Sequence, residues 1–373
     1  MMASFDYWPD IRVIYEPGCL GQLGKLAAEL GGKRILVVTD PGIVKAGIST
    51  LAVQSLEAAS LNVFLFDGVE ENPTSRHVAN GASFVAEQEG IDLIVGLGGG
   101  SAMDCAKGIN FLVTNGGEIE DYWGSGNAGH PMLPSIGVPT TAGTGSEAQS
   151  YALISHEETH KKMACGDRKA RFRTVLLDPE LTEGLPREIA SVTGIDALAH
   201  AIESYVCTKR NEISRMFSRR AWALMSRSFE QVISGDATVG ERGDMLLGAH
   251  LAGAAIEASM LGAAHACANP LTAKYGITHG VAVGLMLSTV VRYNAQTGLY
   301  DGLDAKRGGA EELASWVEML TLNAGFPRSL SEAGIEERNI EDLAELACEE
   351  WTGTFNPRPL GMSDFEELYD AAF

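Results

Sequence analysis

IDLIVGLGGGSAMDCAKGINFL, residues 91–112, decides how the rest of the chain reads. Ile91–Leu97 is a short apolar run rich in branched residues, the pattern of a strand buried on both faces of a parallel sheet. Gly96-Leu97-Gly98-Gly99-Gly100-Ser101 follows as a glycine turn, and Ser101–Leu112 continues with helical spacing. Strand, glycine turn and helix N-terminus together suit phosphate binding. Glycine lets the backbone approach an anion, and the first helical N–H groups point at it. The spacing GxGxxS departs from the GxGxxG dinucleotide fingerprint at its last position. It also follows the third strand rather than the first, so the order is not that of the usual Rossmann unit. A tight turn with no ligand is the alternative.

The same alternation extends on both sides. Arg34–Thr39 and Asn62–Phe66 read as strands, with Gly47–Ala59 and Val78–Gln88 as the helices after them, and Ser135–Pro139 is a fourth strand. Alternating strands and helices imply a parallel sheet covered on both faces. LLDPELTEGLP, residues 176–186, reads as a last strand and a turn. From Arg187 onward the apolar spacing is helical and strand candidates are almost absent. The expected fold class is an α/β N-terminal domain with a parallel sheet, residues 1–186, followed by an all-α C-terminal domain, residues 187–373.

Composition bounds the partners. With 373 residues, 45% of them apolar, the chain can bury a sizeable core in two domains. A net charge of -21 argues against nucleic acid and anionic membrane surfaces. An anionic cofactor must therefore be met by backbone amides or a helix N-terminus. The start, MMASFDYWPD, lacks the apolar run of a signal peptide. Cys19, Cys105, Cys165, Cys207, Cys267 and Cys348 form no CxxC pair, which fits reduced thiols and a cytoplasmic protein. The Ala/Gly-rich run Met245–Pro270 is interrupted by His250, Glu257 and His265, so a buried helical pair is expected rather than a membrane span.

Four side chains are candidates for one divalent metal. Asp196 and His200 are four apart in a helical stretch and share a face. His265 and His279 follow, with Pro270 and Gly276 between them expected to break any single helix. One carboxylate and three imidazoles suit Fe2+ or Zn2+. The alternative is four unrelated residues, two of them packed core histidines. At the end of the first of these strands, Asp40 is placed to accept hydrogen bonds from a ribose 2'-OH and to repel a 2'-phosphate, favouring NAD over NADP. Asp-Pro-Gly is also a good cap or turn, and taken alone that reading is preferred. VPTTAGTGSE, residues 138–147, sets Thr140, Thr141, Thr144 and Ser146 at another strand end, either lining a cofactor or forming a plain polar loop. Two such loops and one acidic tip all fall at carboxyl ends of strands, where open α/β sheets bind ligands.

The stretches TDPGI, ENPT, GGGSAMDCAK, PTTAGTGSE, LLDPELTEGLP, TGIDALAHAIESYV, HACANPLTAKYGITHGVAVGL, RYN and FNPRP run in order from residue 39 to residue 359. In these the chain resembles the iron-containing (group III) alcohol dehydrogenase family. The resemblance implies an N-terminal dinucleotide-binding domain, a helical metal-binding domain and a dehydroquinate synthase-like architecture. It implies metal ligation by Asp196, His200, His265 and His279, and reversible hydride transfer between an alcohol, or its aldehyde or ketone, and NAD. It places Asp40 on the ribose, with Asn72, Gly98, Gly99, Gly100, Ser101, Thr140, Thr141, Thr144 and Lys162 around the cofactor and Leu181 near the adenine. Iron rests on the resemblance; Zn2+ fits the donor set equally well.

Two positions depart from the family pattern. Asn269 stands where a second histidine is common, one helical turn after His265, and asparagine cannot shuttle a proton at neutral pH. Leu287-Ser288-Thr289 replaces a common Leu-Pro-His. Alternative activities are reduction of an unsaturated oxo acid, as in maleylacetate reductases, and a dehydroquinate synthase-type lyase. Both need more basic residues than the single candidate Lys162. Phe5–Tyr15 holds a strand candidate that would pair between subunits in a dimer. His250 and Cys267 are expected in the core, His156 and His160 in a solvated hairpin or loop, and Glu332–Glu350 on the wet face of a helix.

Overall fold

The computed structural model of the protein describes residues 4–159, 161–304 and 308–373. His160, half of the sequence-suggested histidine pair, lies outside the described residues. The chain divides into two compact units. Trp8–Thr141 with Gly145–Leu185 forms one; Pro186–Phe373, joined by Ala142–Thr144 and residues 4–7, forms the other.

The first unit runs β1 (Arg12–Tyr15), α1 (Leu23–Glu29), β2 (Arg34–Val38), α2 (Pro41–Lys45), α3 (Ile48–Ala58), β3 (Asn62–Phe66), α4 (Ser75–Glu87), β4 (Leu93–Gly98), α5 (Gly100–Asn115), β5 (Gly124–Ser125), β6 (Ser135–Pro139), β7 (Tyr151–Ser155), β8 (Lys162–Gly166) and β9 (Thr174–Leu177). Its six-stranded sheet has the order β1-β9-β6-β4-β2-β3, and every pairing in it is parallel. All six residues of β4 are buried, as a central strand covered on both faces requires. From β2 the chain steps outward to β3, then returns to pair β4 on the other side of β2. The carboxyl ends of β2 and β4 therefore flank a point where strand order reverses, the place where open α/β sheets bind ligands. Asp40 follows β2, and the glycine turn follows β4.

A smaller sheet, β5-β8-β7, was not expected from the sequence. β7 and β8 are a true antiparallel hairpin, with Ser155 opposite Lys162. Residues 156–161 between them are polar, which masked the strands on either side. The short helix α2 was also missed, because Asp-Pro-Gly reads equally as a turn and as a capped helix start.

The second unit has helices and turns and no strand among its described residues: α6 (Arg187–Val206), α7 (Glu212–Ser234), α8 (Val239–Glu257), α9 (Ala263–Tyr275), α10 (His279–Tyr293), α11 (Ala310–Asn323), α12 (Ile340–Glu349) and α13 (Met362–Ala372). α6 is buried on almost every side from Ala190 to Val206, so it is the central helix of this unit. Two expectations need correction. No single helix joins His265 to His279, as expected, but Gly276 alone makes the break: α9 runs through Pro270 and ends at Gly276. Proline removes one backbone hydrogen bond, but burial of Ala263–Ala268 and Leu271 holds the helix together. Glu332–Glu350 is not one solvated helix face either. It holds a turn at Gly334, a short 3-10 turn and then α12, whose Ile340, Leu343, Ala344 and Ala347 are buried. His250 and Cys267 are buried as expected.

Among the described residues no helix is long and apolar enough to cross a membrane.

Candidate metal centre and cofactor loops

In the helical unit, α6 carries Asp196 and His200 one turn apart, both 5% exposed. α9 brings in His265, and α10 opens with His279. Glycine follows His279 for a steric reason. A Cβ at Gly280 would lie 2.0 Å from the Val192 carbonyl oxygen, so the first turn of α10 rests directly on the α6 backbone one turn before Asp196. The result is a convergence on one oxygen. Asp196 Oδ1 lies 3.3 Å from His200 Nε2, 3.2 Å from His265 Nε2 and 3.7 Å from His279 Nε2. Ligands held ~2.1 Å from a common ion at tetrahedral angles sit about 3.4 Å apart, so these separations fit a metal site. Asp196, His265 and His279 offer ligand atoms all within 4.8 Å of one another; His200 stands outside that mutual set and joins through Asp196. Its ring stacks on His265, with centroids 4.9 Å apart.

The electrostatics of this cluster follow from its burial and its mutual contacts. Burial alone would raise the Asp196 carboxyl, but His200, the hydrogen bond to His265 and His279 outweigh it and hold it well below the usual range. Burial pushes the His200 imidazole down against the pull of Asp196, favouring the neutral ring that binds metal. His265 goes the other way: burial lowers it, yet Glu203 and Asp196 together raise it.

Glu203 was not anticipated from the sequence. It lies on the same face of α6 as Asp196 and His200, at spacings of four and three, and is 3% exposed. Its Oε2 is hydrogen-bonded to His265 Nδ1, and its Oε1 accepts from the Ala264 backbone N–H at 2.7 Å.

In the α/β unit the cofactor candidates cluster around the sheet's reversal point. Asp40 caps α2: its Oδ1 accepts from the Ile43 N–H at 3.0 Å. Its other oxygen faces the glycine turn, since a Cβ at Gly98 would lie 3.2 Å from Asp40 Oδ2 and 2.8 Å from the Ala102 Cβ. With φ at 147°, position 98 also has a backbone that only glycine adopts freely. Gly99 is the N-cap of α5, Gly100 and Ser101 begin it, and the Thr141 hydroxyl lies opposite Gly99. The Thr140 N–H is tied to the Gly98 carbonyl at 2.9 Å. The hydroxyls of Thr39 and Thr140, at the ends of β2 and β6, are buried without a hydrogen-bond partner among the described residues. Asn72 is exposed, with φ at 53°. Thr144 belongs to the helical unit with Ala142 and Gly143, so the threonine loop is shared between the two units' chain segments.

Ser146 is not available to a ligand. Its hydroxyl donates to Asp104 Oδ1 at 2.5 Å and accepts from Lys107 Nζ at 2.8 Å. Lys107 also donates to the carbonyls of Ser146 and Tyr151, at 2.7 and 2.6 Å. Asp104 and Lys107 are one turn apart on α5, both buried, and the network ties the helix after the glycine turn to the threonine loop and to β7.

Residues 10–179 match the model of a family described as iron-containing alcohol dehydrogenase, and residues 190–373 match that family's C-terminal domain. Alcohol dehydrogenase 4 of Schizosaccharomyces pombe is 35% identical over 365 residues, covering 96% of this chain and 86% of its own. A crystal structure of 1,3-propanediol oxidoreductase superimposes with a TM-score of 0.93 at 31% identity over the full length of both chains. Sulfoacetaldehyde reductase from Bifidobacterium kashiwanohense, in complex with NAD+, gives a TM-score of 0.91 at 26% identity, covering 99% of each chain. The chain belongs to the iron-containing alcohol dehydrogenase family. It is a metal-dependent oxidoreductase of alcohols and the corresponding carbonyl compounds.

Within this iron-containing alcohol dehydrogenase the remaining candidates scatter. Asn269 lies on α9 one turn after His265, half-buried, and its amide donates to Glu350 Oε2 at 2.7 Å. Lys162 opens β8, exposed, and its charge helps to offset the burial that pushes the Asp104 carboxyl up. Leu181 packs, partly buried, against the apolar cluster beside β2 and β4.

Proposed function

We propose that Asp196, His200, His265 and His279 hold one Fe2+, with Zn2+ as a competent substitute, and that the enzyme uses NAD. The single observation that carries the metal assignment is the approach of three imidazole nitrogens to one carboxylate oxygen, at 3.2 to 3.7 Å. Three neutral imidazoles and one carboxylate leave the site with net positive charge toward a substrate oxygen. When bound, iron supplies a Lewis acid for that oxygen and NAD supplies the hydride acceptor. The chain's own residues orient and exclude. Asp196 fixes the three rings, and the burial of Asp196, His200 and His265 keeps bulk water from them. Asn269 offers hydrogen bonds and no proton relay, so the substrate proton would need a route that does not pass through this side chain.

Support for NAD comes from the sheet's reversal point, where Asp40 Oδ2 and the glycine turn face each other and two buried hydroxyls wait unpartnered. Gly98, Gly99, Gly100 and Ser101 would receive the pyrophosphate on the α5 N-terminus. Asp40 would bind the ribose and disfavour NADP; Asn72, Thr140, Thr141, Thr144, Lys162 and Leu181 would complete the surround. Neutral alcohols and their aldehydes are the proposed substrates. Trp8, Val13 and Tyr15 are 64, 41 and 42% exposed on or beside the sheet's edge strand β1, which supports a dimer that covers this edge. The buried free thiols of Cys19, Cys105, Cys165, Cys207 and Cys267 support a cytoplasmic location.

The test is an absorbance screen for NADH formation with primary alcohols and diols, using stripped protein reloaded with Fe2+ or Zn2+. Activity should need metal; full activity of the stripped protein rejects the assignment. Asp40→Gly should raise NADP use relative to NAD, and an unchanged ratio removes Asp40 from the cofactor site.

A further inference from the structure

We infer that Glu203 is a positioning residue that sets the tautomer of His265 and thereby makes its Nε2 a metal ligand. The inference rests on the metal reading above and adds a residue to it.

Glu203 reaches two hydrogen-bond donors at once. The Ala264 backbone N–H donates to Oε1 at 2.7 Å, and the neighbouring His265 ring meets Oε2 through Nδ1. A carboxylate has no hydrogen to give, so Nδ1 must carry one and donate it. A metal that replaces the hydrogen Nε2 shares with Asp196 Oδ1 at 3.2 Å then meets a neutral ring whose one hydrogen stays on Nδ1 and whose lone pair is on Nε2, the nitrogen turned toward the other imidazoles. The grip is also rigid. Glu203 is 3% exposed on α6, the helix that carries Asp196 and His200, so one helix face holds two ligands and orients a third from another helix. His200 has no carboxylate behind it; its buried ring is met instead by the Gly143 backbone. The site thus has one imidazole buttressed by a second carboxylate and one that is not.

Glutamine isolates the acceptor role, because it keeps the shape and exchanges one oxygen for an NH2. With its oxygen on the Ala264 N–H, the NH2 faces His265 Nδ1 and forces hydrogen onto Nε2, which blocks the ligand position. With its oxygen on Nδ1, the NH2 collides with the Ala264 N–H, donor against donor. Only the first arrangement is fully satisfied, and it is the one that excludes metal.

The experiment titrates full-length stripped protein with Fe2+ anaerobically, and with Co2+, against a competing chelator. Parent, Glu203→Gln, Glu203→Ala and Asp196→Ala are compared, each with a thermal melt of the metal-free form. Glu203→Gln should bind metal roughly 10- to 100-fold more weakly, shift the visible bands of bound Co2+, and melt with the metal-free parent. A purely structural glutamate would instead lower the melting temperature and leave affinity and bands alone. Glu203→Ala, whose vacancy admits a water that accepts from Nδ1, should lose less affinity than Glu203→Gln, and it guards against misfolding of the latter. Parental affinity in a folded variant at position 203 overturns the inference. Parental affinity in Asp196→Ala overturns the metal reading itself, which keeps the two failures distinct.

Discussion

In the α/β unit, the buried charges of Asp104 and Lys107 close on each other; in the helical unit, the buried charges around Asp196 stay open. Lys107 spends its hydrogens on Ser146 and on two carbonyls, and Asp104 takes the Ser146 hydroxyl. Nothing more is wanted there. Around Asp196 three imidazole nitrogens aim at one oxygen that cannot serve them all at full strength. A closed network gives shape, whereas an open one is satisfied only by an added cation. Buried polarity therefore marks function when its geometry converges, and structure when its donors and acceptors already balance.

The contrast can be broken at four points. The largest effect belongs to the open cluster: His265→Ala should reduce metal content and alcohol-dependent NADH formation to background, measured by metal analysis and absorbance. Retained metal would mean that the convergence is not a site. In the closed network, Lys107→Met leaves Asp104 buried and unpaired and should cost about 3–5 kcal/mol, read as a lower denaturant midpoint. Metal affinity should stay within about twofold of the parent, since the ligands lie in the other unit. A smaller change is expected at the glycine turn. Gly98→Ala strains the backbone and presses the Ala102 Cβ, for roughly 1–3 kcal/mol, and should raise KM for NAD more than it lowers kcat. The smallest effect concerns the thiols. Burial pushes Cys19, Cys105 and Cys165 up to about 12, and five of the six cysteines are buried. At pH 8 a thiol reagent should therefore label Cys348 alone in the native protein and all six in denaturant. Early labelling of Cys267 would show that α9, and with it His265, opens readily.

Elements with strong local signals were legible in the sequence. The strands of the parallel sheet announced themselves as apolar runs, and Asp196 and His200 as neighbours on a helix face. Glu203 was not legible, because its role depends on His265, 62 positions later, and nothing local says that a buried glutamate faces an imidazole. The polar segment between β7 and β8 was read as a hairpin or a loop, and its polarity masked the two strands that flank it. Pro270 misled because the rule against proline in helices is local, whereas the burial that overrides it is tertiary. Asp40 shows both sides. The cap reading and the ribose reading compete in the sequence, yet in three dimensions one oxygen caps α2 and the other looks toward the glycine turn.

β1 carries a consequence for how the molecule is made. Its sheet partner is β9, some 160 residues later in the chain, and Gly18 and Leu20 likewise hang their amides on Asp178. On a ribosome adding roughly 5–20 residues per second, the first strand emerges many seconds before its neighbour exists. Closing so long a loop is entropically costly and slow. Through that interval Val13 and Tyr15 are presented to the cell on an unpaired strand, so β1 is made long before it can find its place.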